Sequence, residues 1–262
     1  MQLALITGGT SGIGLEFARA LARDGVNLVL VARDPARLDA VAAGLSGTFG
    51  VAVETLAADL ASRDDQERVA GRLRAGDIDV LVNNAGFSLK NPLAGGDDAL
   101  ADRAYEVMGR APRVLAGAAA SVMRDAGRGW ILNIVSVSAL TRQDSYSALK
   151  AYALALSEVL ALELVGTGVQ VTAVLPGWTR TEFHDRGRSK RSKVPGFLWL
   201  SPARVAADGL RDARAGRVIS IPSKRYKLIA AILHALPAGA VRALSRKVKG
   251  SRPAPNSQED HR

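Results

Sequence analysis

The chain of 262 residues contains no cysteine. Disulfides, thiolate nucleophiles and thiolate metal sites are therefore excluded. Histidine is almost as scarce: His184, His234 and His261 stand far apart with no ligand spacing, so no metal site is expected. Aromatic residues make up 5% of the chain and no nucleic-acid motif is present, which leaves nucleic acid a weak partner. No apolar run reaches the roughly 18 residues of a spanning helix. The N-terminus, MQLALITGG, enters a strand-like run at once, without the charged start and cleavage site of a signal peptide. These absences predict a soluble, metal-free, cytoplasmic protein.

Acids are also few. Against 35 Lys and Arg stand 25 Asp and Glu, for a net charge of +10. The excess is uneven. Residues 186–193 carry five positive charges, and the stretch from Lys224 to Arg252 carries eight with no acid. Such runs are either solvated faces or contacts for an anionic cofactor, substrate or membrane surface.

Apolar residues form 48% of the chain, enough for one large core. They fall in short runs apolar on both faces, as in buried parallel strands: 3–7, 27–32, 51–57, 80–83, 130–135, 169–175 and 218–221. Between them lie helical patterns. Ile13, Phe17 and Leu21 repeat at i+4, and Leu149, Ala153, Leu156, Leu160 and Leu164 form one stripe. The alternation predicts a single α/β doubly wound, Rossmann-type domain with a parallel seven-stranded sheet. Pro112 predicts a kink or split in the helical stretch 98–126. The expected organisation is a dinucleotide-binding catalytic domain over 1–222, a basic amphipathic helical extension over 223–250 and a disordered tail over 251–262.

The first strand runs into Thr7-Gly8-Gly9-Thr10-Ser11-Gly12-Ile13-Gly14 and then a helix. Glycines let the backbone approach a pyrophosphate, and the helix start offers free N–H groups. Arg33 follows the second strand, 19 residues after Gly14. An arginine there suits the 2′-phosphate of NADP(H) over the 2′-hydroxyl of NAD(H). Asp34 is either an acid for that ribose or the cap of the helix that starts at Pro35. Later, Tyr146 and Lys150 share one helical face at i, i+4. An ammonium nearby lowers a phenol's pKa and lets it act as an acid/base.

Together these residues resemble the classical short-chain dehydrogenase/reductase family, over roughly residues 2–222. The glycine loop matches T-G-x-x-x-G-x-G. Asp59-Leu60 is similar to the pair that contacts adenine. Asn83-Asn84-Ala85-Gly86 matches N-N-A-G, and Asn133-Ile134-Val135-Ser136 resembles the strand ending in the catalytic serine. Tyr146 and Lys150 match Y-x-x-x-K, and Pro176-Gly177-Trp178-Thr179-Arg180-Thr181 resembles the segment around the nicotinamide carboxamide.

The resemblance implies an NADP(H)-dependent oxidoreductase that interconverts an alcohol and a ketone or aldehyde. It implies that Ser136 binds the substrate oxygen, Tyr146 is the acid/base, and Lys150 binds the nicotinamide ribose and tunes Tyr146. Gly8, Thr10, Ser11, Gly12, Ile13 and Gly14 would cradle the phosphates, and Arg33 the 2′-phosphate. Asp59, Leu60, Asn84, Ala85 and Gly86 would line the adenosine side. Pro176, Gly177, Thr179 and Thr181 would hold the carboxamide end. It also implies a homodimer or homotetramer built through helices 98–126 and 146–165.

Two departures stand out. Counting back from Ser136, Met108 falls where the family places an asparagine that helps hold a relay water, and no asparagine lies between Asn91 and Asn133. Ser136 also precedes Tyr146 by only 10 residues, shorter than the family's usual connection, and Ser138 competes for the role. These departures support an alternative, a catalytically weak dinucleotide-binding sensor or partner module. Phe197, Trp199 and Leu200 either line an apolar substrate pocket or pack as ordinary helix residues. The basic segment 224–250 is either packed on the domain or a subunit, or rests on anionic lipid; His234 within it reads as a surface residue.

Overall fold

In the computed structural model, which describes residues 2–89, 91–181, 195–237, 239–243 and 245, each apolar run becomes a strand. These are β1 (Leu3–Thr7), β2 (Asn27–Ala32), β3 (Val53–Ala57), β4 (Val80–Asn83), β5 (Gly129–Ile134), β6 (Val169–Val174) and β7 (Ile219–Ser220). Every neighbouring pair is parallel, in the order β3-β2-β1-β4-β5-β6-β7. The expected seven-stranded parallel sheet is present. The order reverses between β1 and β4, where doubly wound sheets open a crevice at the strands' carboxyl ends.

Side chains alternate between the two faces of the sheet. Leu5, Val29, Leu81, Ile131 and Val171 pack toward α3 (Arg63–Arg74), α5 (Ala111–Asp125) and α6 (Ser145–Glu163). Ala4, Ile6, Leu28, Leu30, Val80, Val82 and Leu132 pack toward α1 (Gly12–Arg23), α2 (Pro35–Phe49) and α7 (Pro202–Arg214). Both faces are thus covered, which is why most of these strands read as continuous apolar runs. The edge strand β3 differs from that reading, because Glu54, Thr55 and Ala57 are exposed.

The stretch 98–126 does split. α4 (Asp98–Tyr105) passes into a π-helical turn, Glu106–Arg110, before α5 begins. Pro112 then lies in the first turn of α5, where a missing N–H is tolerated. Gln66, buried on α3, fixes this junction: its Nε2 donates to the Glu106 carbonyl at 3.3 Å and to the Leu60 carbonyl at 2.8 Å. The Ala111 amide shares the Glu106 carbonyl.

Beyond β7, α8 (Lys224–Ala235) is joined to the domain core through Tyr226. The chain continues helically through 239–243, and the Ser245 hydroxyl accepts a bond from the Arg142 amide at 3.2 Å. The basic run 186–193, the tail 251–262 and the His234 side chain lie outside the described residues.

Candidate active site

The glycine loop lies at the carboxyl end of β1. Gly8 and Gly12 have φ of 64° and 54°, a region that L side chains rarely adopt. Gly14 is demanded by space instead. A Cβ there would stand 2.3 Å from the Gly8 carbonyl and 2.4 Å from Asn84 Nδ2. α1 begins at Ser11 with no side-chain cap, and no acid lies in its first turn. By contrast α2, α3, α4, α6, α7 and α8 are capped by Asp34, Ser62, Asp97, Asp144, Ser201 and Ser223. Uncapped N–H groups beside a glycine cradle fit a pyrophosphate. Thr10, Ser11 and Ile13 are partly buried around this turn, and the Thr181 methyl group lies against Gly12.

Thr7 joins this loop to the next one. Its Oγ1 accepts bonds from the Asn84 and Ala85 amides at 2.9 and 3.0 Å. Asn84 Nδ2 returns bonds to the Thr7 and Gly8 carbonyls at 3.0 and 3.2 Å. The crevice between β1 and β4 is therefore built rigid before any ligand enters. Thr7 stood in the sequence motif without a role, since a strand-end hydroxyl gives no local signal of its partner some 77 residues away.

At the adenosine end, Arg33 is exposed and has no ion-pair partner among the described residues. Asp34 is the cap of α2 and accepts from the Arg37 amide at 3.1 Å, which decides between its two readings. The Asp59 carboxylate pairs with Arg103 at 2.9 Å and accepts from the Ala61 amide. Burial acts to raise the Asp59 pKa, but the Ala61 amide, Arg103 and Arg33 hold it below the usual carboxylate range. Two guanidinium groups around one carboxylate leave a positive balance. Leu60, next to Asp59, is buried in the core.

The chemical cluster lies at the end of β5. Ser136 has extended backbone and leads into a single 3-10 turn, Val137–Leu140. Its hydroxyl accepts from the Ser138 amide at 3.1 Å and is hydrogen-bonded to the Tyr146 phenol. The short connection thus closes through one tight turn, and Ser136, not Ser138, meets the tyrosine. The Ser138 hydroxyl is buried with no partner among the described residues. Asp144 and Ser147 form a capping box that starts α6 one residue before Tyr146.

Lys150 is buried one turn on. Its ammonium lies 5.6 Å from the centre of the Tyr146 ring and donates to the Ile134 carbonyl at 2.9 Å. Burial pushes the Lys150 pKa down to about 8. Burial also raises the Tyr146 pKa; the Ser136 bond opposes the rise and the Asp144 charge adds to it. One of the three ammonium N–H groups is used by the Ile134 backbone carbonyl.

Met108 lies in the π turn, fully buried, with its sulfur against Gly86. It is a core side chain under the Asn84–Gly86 loop. Sequence reading also gave no role to Asn83 beyond its motif. Its amide donates to Asn133 Oδ1 at 3.0 Å and to the Pro112 carbonyl at 3.3 Å, while Asn133 donates to Ser157 on α6 at 2.9 Å.

The carboxamide-like segment leaves β6. Pro176 and Thr179 are buried, and Thr179 Oγ1 donates to the Gly177 carbonyl at 3.0 Å. Residues 195–200 return to this segment: Leu200 bridges Thr179, and Trp199 packs on Trp178 at 5.8 Å. Leu200 therefore belongs to the core, whereas Phe197 is exposed. Tyr226 clamps both strands of this arrangement. Its hydroxyl accepts from the Trp178 amide at 3.0 Å and donates to the Leu198 carbonyl at 2.8 Å. A Cβ on Gly177 would fall 1.9 Å from the Tyr226 ring. Nothing near Tyr226 in sequence announces this contact.

A family model described as short chain dehydrogenase matches residues 2–192. An uncharacterized oxidoreductase of Staphylococcus saprophyticus is 33% identical over 69% of this chain and 79% of that protein. The very-long-chain 3-oxoacyl-CoA reductase of Bos taurus is 35% identical over 77% of this chain, which spans 64% of that protein. A solved short-chain dehydrogenase from Sphingobium yanoikuyae in complex with NADPH is 35% identical, with a TM-score of 0.83 over 97% of this chain and 99% of that one. The bulky-bulky ketone specific alcohol dehydrogenase from Comamonas testosteroni is 30% identical, with a TM-score of 0.77 over 97% of each chain.

Proposed function

This chain belongs to the short-chain dehydrogenase/reductase family of NAD(P)-dependent oxidoreductases, and we propose that it interconverts an apolar alcohol and its ketone or aldehyde with NADP(H). The observation that carries this reading is the Ser136–Tyr146 hydrogen bond beside buried Lys150, at the carboxyl end of the sheet, where the glycine loop also lies. The nicotinamide, when bound, supplies or receives the hydride. The uncapped start of α1 and Gly8, Gly12 and Gly14 bind the pyrophosphate. Arg33 pairs with the 2′-phosphate, supported by its exposed position beside Asp59 and Arg103. Thr179, Thr181 and the Tyr226-clamped Gly177 hold the carboxamide end.

Ser136 holds the substrate oxygen against Tyr146. In reduction Tyr146 donates its phenol proton to that oxygen; in oxidation it takes the proton back. Pro112 has no N–H to give, so one backbone carbonyl at the π turn that holds Met108 lacks a helical donor and is available as an acceptor. On this reading the relay works through a backbone carbonyl, and the methionine side chain is free to pack on Gly86.

The apolar substrate class is supported by the likeness to the bulky-bulky ketone enzyme. Assembly of copies through α4 to α6 is supported by exposed Tyr105, Tyr152, Val159 and Leu162 on those helices.

The test is oxidation of NADPH and NADH against a panel of hydrophobic ketones and aldehydes. Tyr146→Phe is expected to lower kcat/KM by about 10² or more. Arg33→Ala is expected to raise KM for NADPH roughly tenfold and leave NADH nearly unchanged. Equal use of both cofactors by the unmodified protein would overturn the assignment of Arg33. Cofactor binding without turnover across the panel would identify a dinucleotide-binding module instead.

A further inference from the structure

α8 is apolar on two sides. Tyr226 and Ala230 face the domain and are buried. Leu228, Ile229 and Ile232 face outward, with Leu228 64% and Ile232 51% exposed. A helix apolar all round is normally enclosed. Among the described residues nothing covers the outer stripe, and Lys224, Arg225 and Lys227 on the same helix and Arg242 after it are exposed. The stripe extends onto the neighbouring turn. Arg225 stacks on the ring of Phe197, itself 60% exposed, and donates to the Phe197 carbonyl.

We propose that the outer face of α8, with Phe197, docks on an anionic lipid bilayer. Charge complementarity selects this occupant. Among the described residues from Lys224 onward, Lys224, Arg225, Lys227 and Arg242 are exposed and no Asp or Glu is present. A second copy seated on the same face would bring two such sets together, and like charges oppose that. A nucleic acid would satisfy the cations and leave Leu228 and Ile232 in water. An anionic bilayer takes both: headgroups for the cations, the acyl boundary for the leucine and isoleucine.

The placement has a chemical consequence. Tyr226, on the inner side of α8, is bonded to Trp178 and Leu198, and so joins the docking helix to the carboxamide segment and the turn beside it. A docked molecule would hold that turn at the lipid boundary. The substrate class this favours is one that partitions into membranes.

The experiment is co-sedimentation of the full chain with phosphatidylcholine vesicles, with and without phosphatidylglycerol. Binding is expected only with the anionic lipid and is expected to weaken with added salt. Leu228→Ser combined with Ile232→Ser keeps every charge and alters exposed positions only. That double variant should bind anionic vesicles about tenfold more weakly or worse, from loss of buried apolar area. Its melting temperature and its turnover of a small water-soluble ketone should be unchanged. Absence of binding to anionic vesicles would overturn the proposal, and so would equal binding by the double variant. A shift from oligomer to monomer in the double variant, with vesicle binding intact, would assign the face to a second copy and also overturn it.

Discussion

Replacing Lys150 by methionine should destroy activity and stabilise the fold. Methionine approximates the lysine stem and carries no charge to bury. Folding takes the Lys150 pKa from an ordinary 10.5 to about 8. At neutral pH that costs about 3 kcal/mol, because each tenfold change in proton affinity is about 1.4 kcal/mol. The substitution also loses the bond to the Ile134 carbonyl, worth about 1 kcal/mol. The net gain is about 2 kcal/mol at pH 7. For a domain of this size that raises Tm by roughly 4–8 °C.

The sign with pH follows. Below about pH 8 the folded and unfolded forms both carry the proton, and the burial cost is complete. Between about pH 8 and 10.5 the unfolded form holds a proton that the folded form has released, so the unmodified protein gains stability as pH rises. The advantage of Lys150→Met should therefore shrink steadily above pH 8 and vanish near pH 10. Above that it should reverse, because only the lost hydrogen bond remains. Thermal melts followed by circular dichroism at a series of pH values read this directly. A variant less stable at pH 7, or a difference constant from pH 7 to 10, would refute the account of Lys150 as a buried cation held at a cost.

Gly177→Ala should be severely disruptive, since its Cβ would overlap the Tyr226 ring. Pairing it with Tyr226→Ala should recover part of the lost stability, and a double-mutant cycle without such recovery would show that the clamp is not what makes Gly177 necessary. Gly14→Ala should cost about 1–3 kcal/mol, because backbone and Asn84 must move. Titration of NADPH fluorescence should show binding weakened at least about tenfold, and unchanged affinity would remove the glycine cradle from the cofactor site.

The fold was legible because burial on both faces of a parallel sheet leaves apolar runs that stand out. The exception is instructive: β3, at the edge, carries Glu54 and Thr55 outward and began two residues later than its run suggested. The candidate groups for binding and reaction were legible as well, because glycine turns and Y-x-x-x-K are local in sequence. What escaped were contacts between distant segments. Thr7 with Asn84, Gln66 with Glu106, and Tyr226 with Trp178 and Leu198 join residues between 28 and 77 apart, and no periodicity encodes them. The burial around Tyr146 and Lys150 escaped for a different reason. The i, i+4 spacing gave proximity to Lys150, but not the burial that raises the phenol's pKa, nor the Ile134 carbonyl that takes one of the three ammonium N–H groups.

Valine, leucine and isoleucine strands of similar length carry little to distinguish one alignment from the next. In β4 and β5 that ambiguity is removed by one polar rung. Asn83 and Asn133 are register partners, bonded to each other and to α5 and α6 through Pro112 and Ser157. A slip by one residue would turn one asparagine to the opposite face and strand its partner's amide in apolar surroundings. The same slip would move Ser136 by about 3.3 Å along the strand relative to Asn84. The rung therefore acts as a vernier: it makes the misaligned sheet the expensive one, and so delivers the serine of one loop to a fixed height beside the amide of the other.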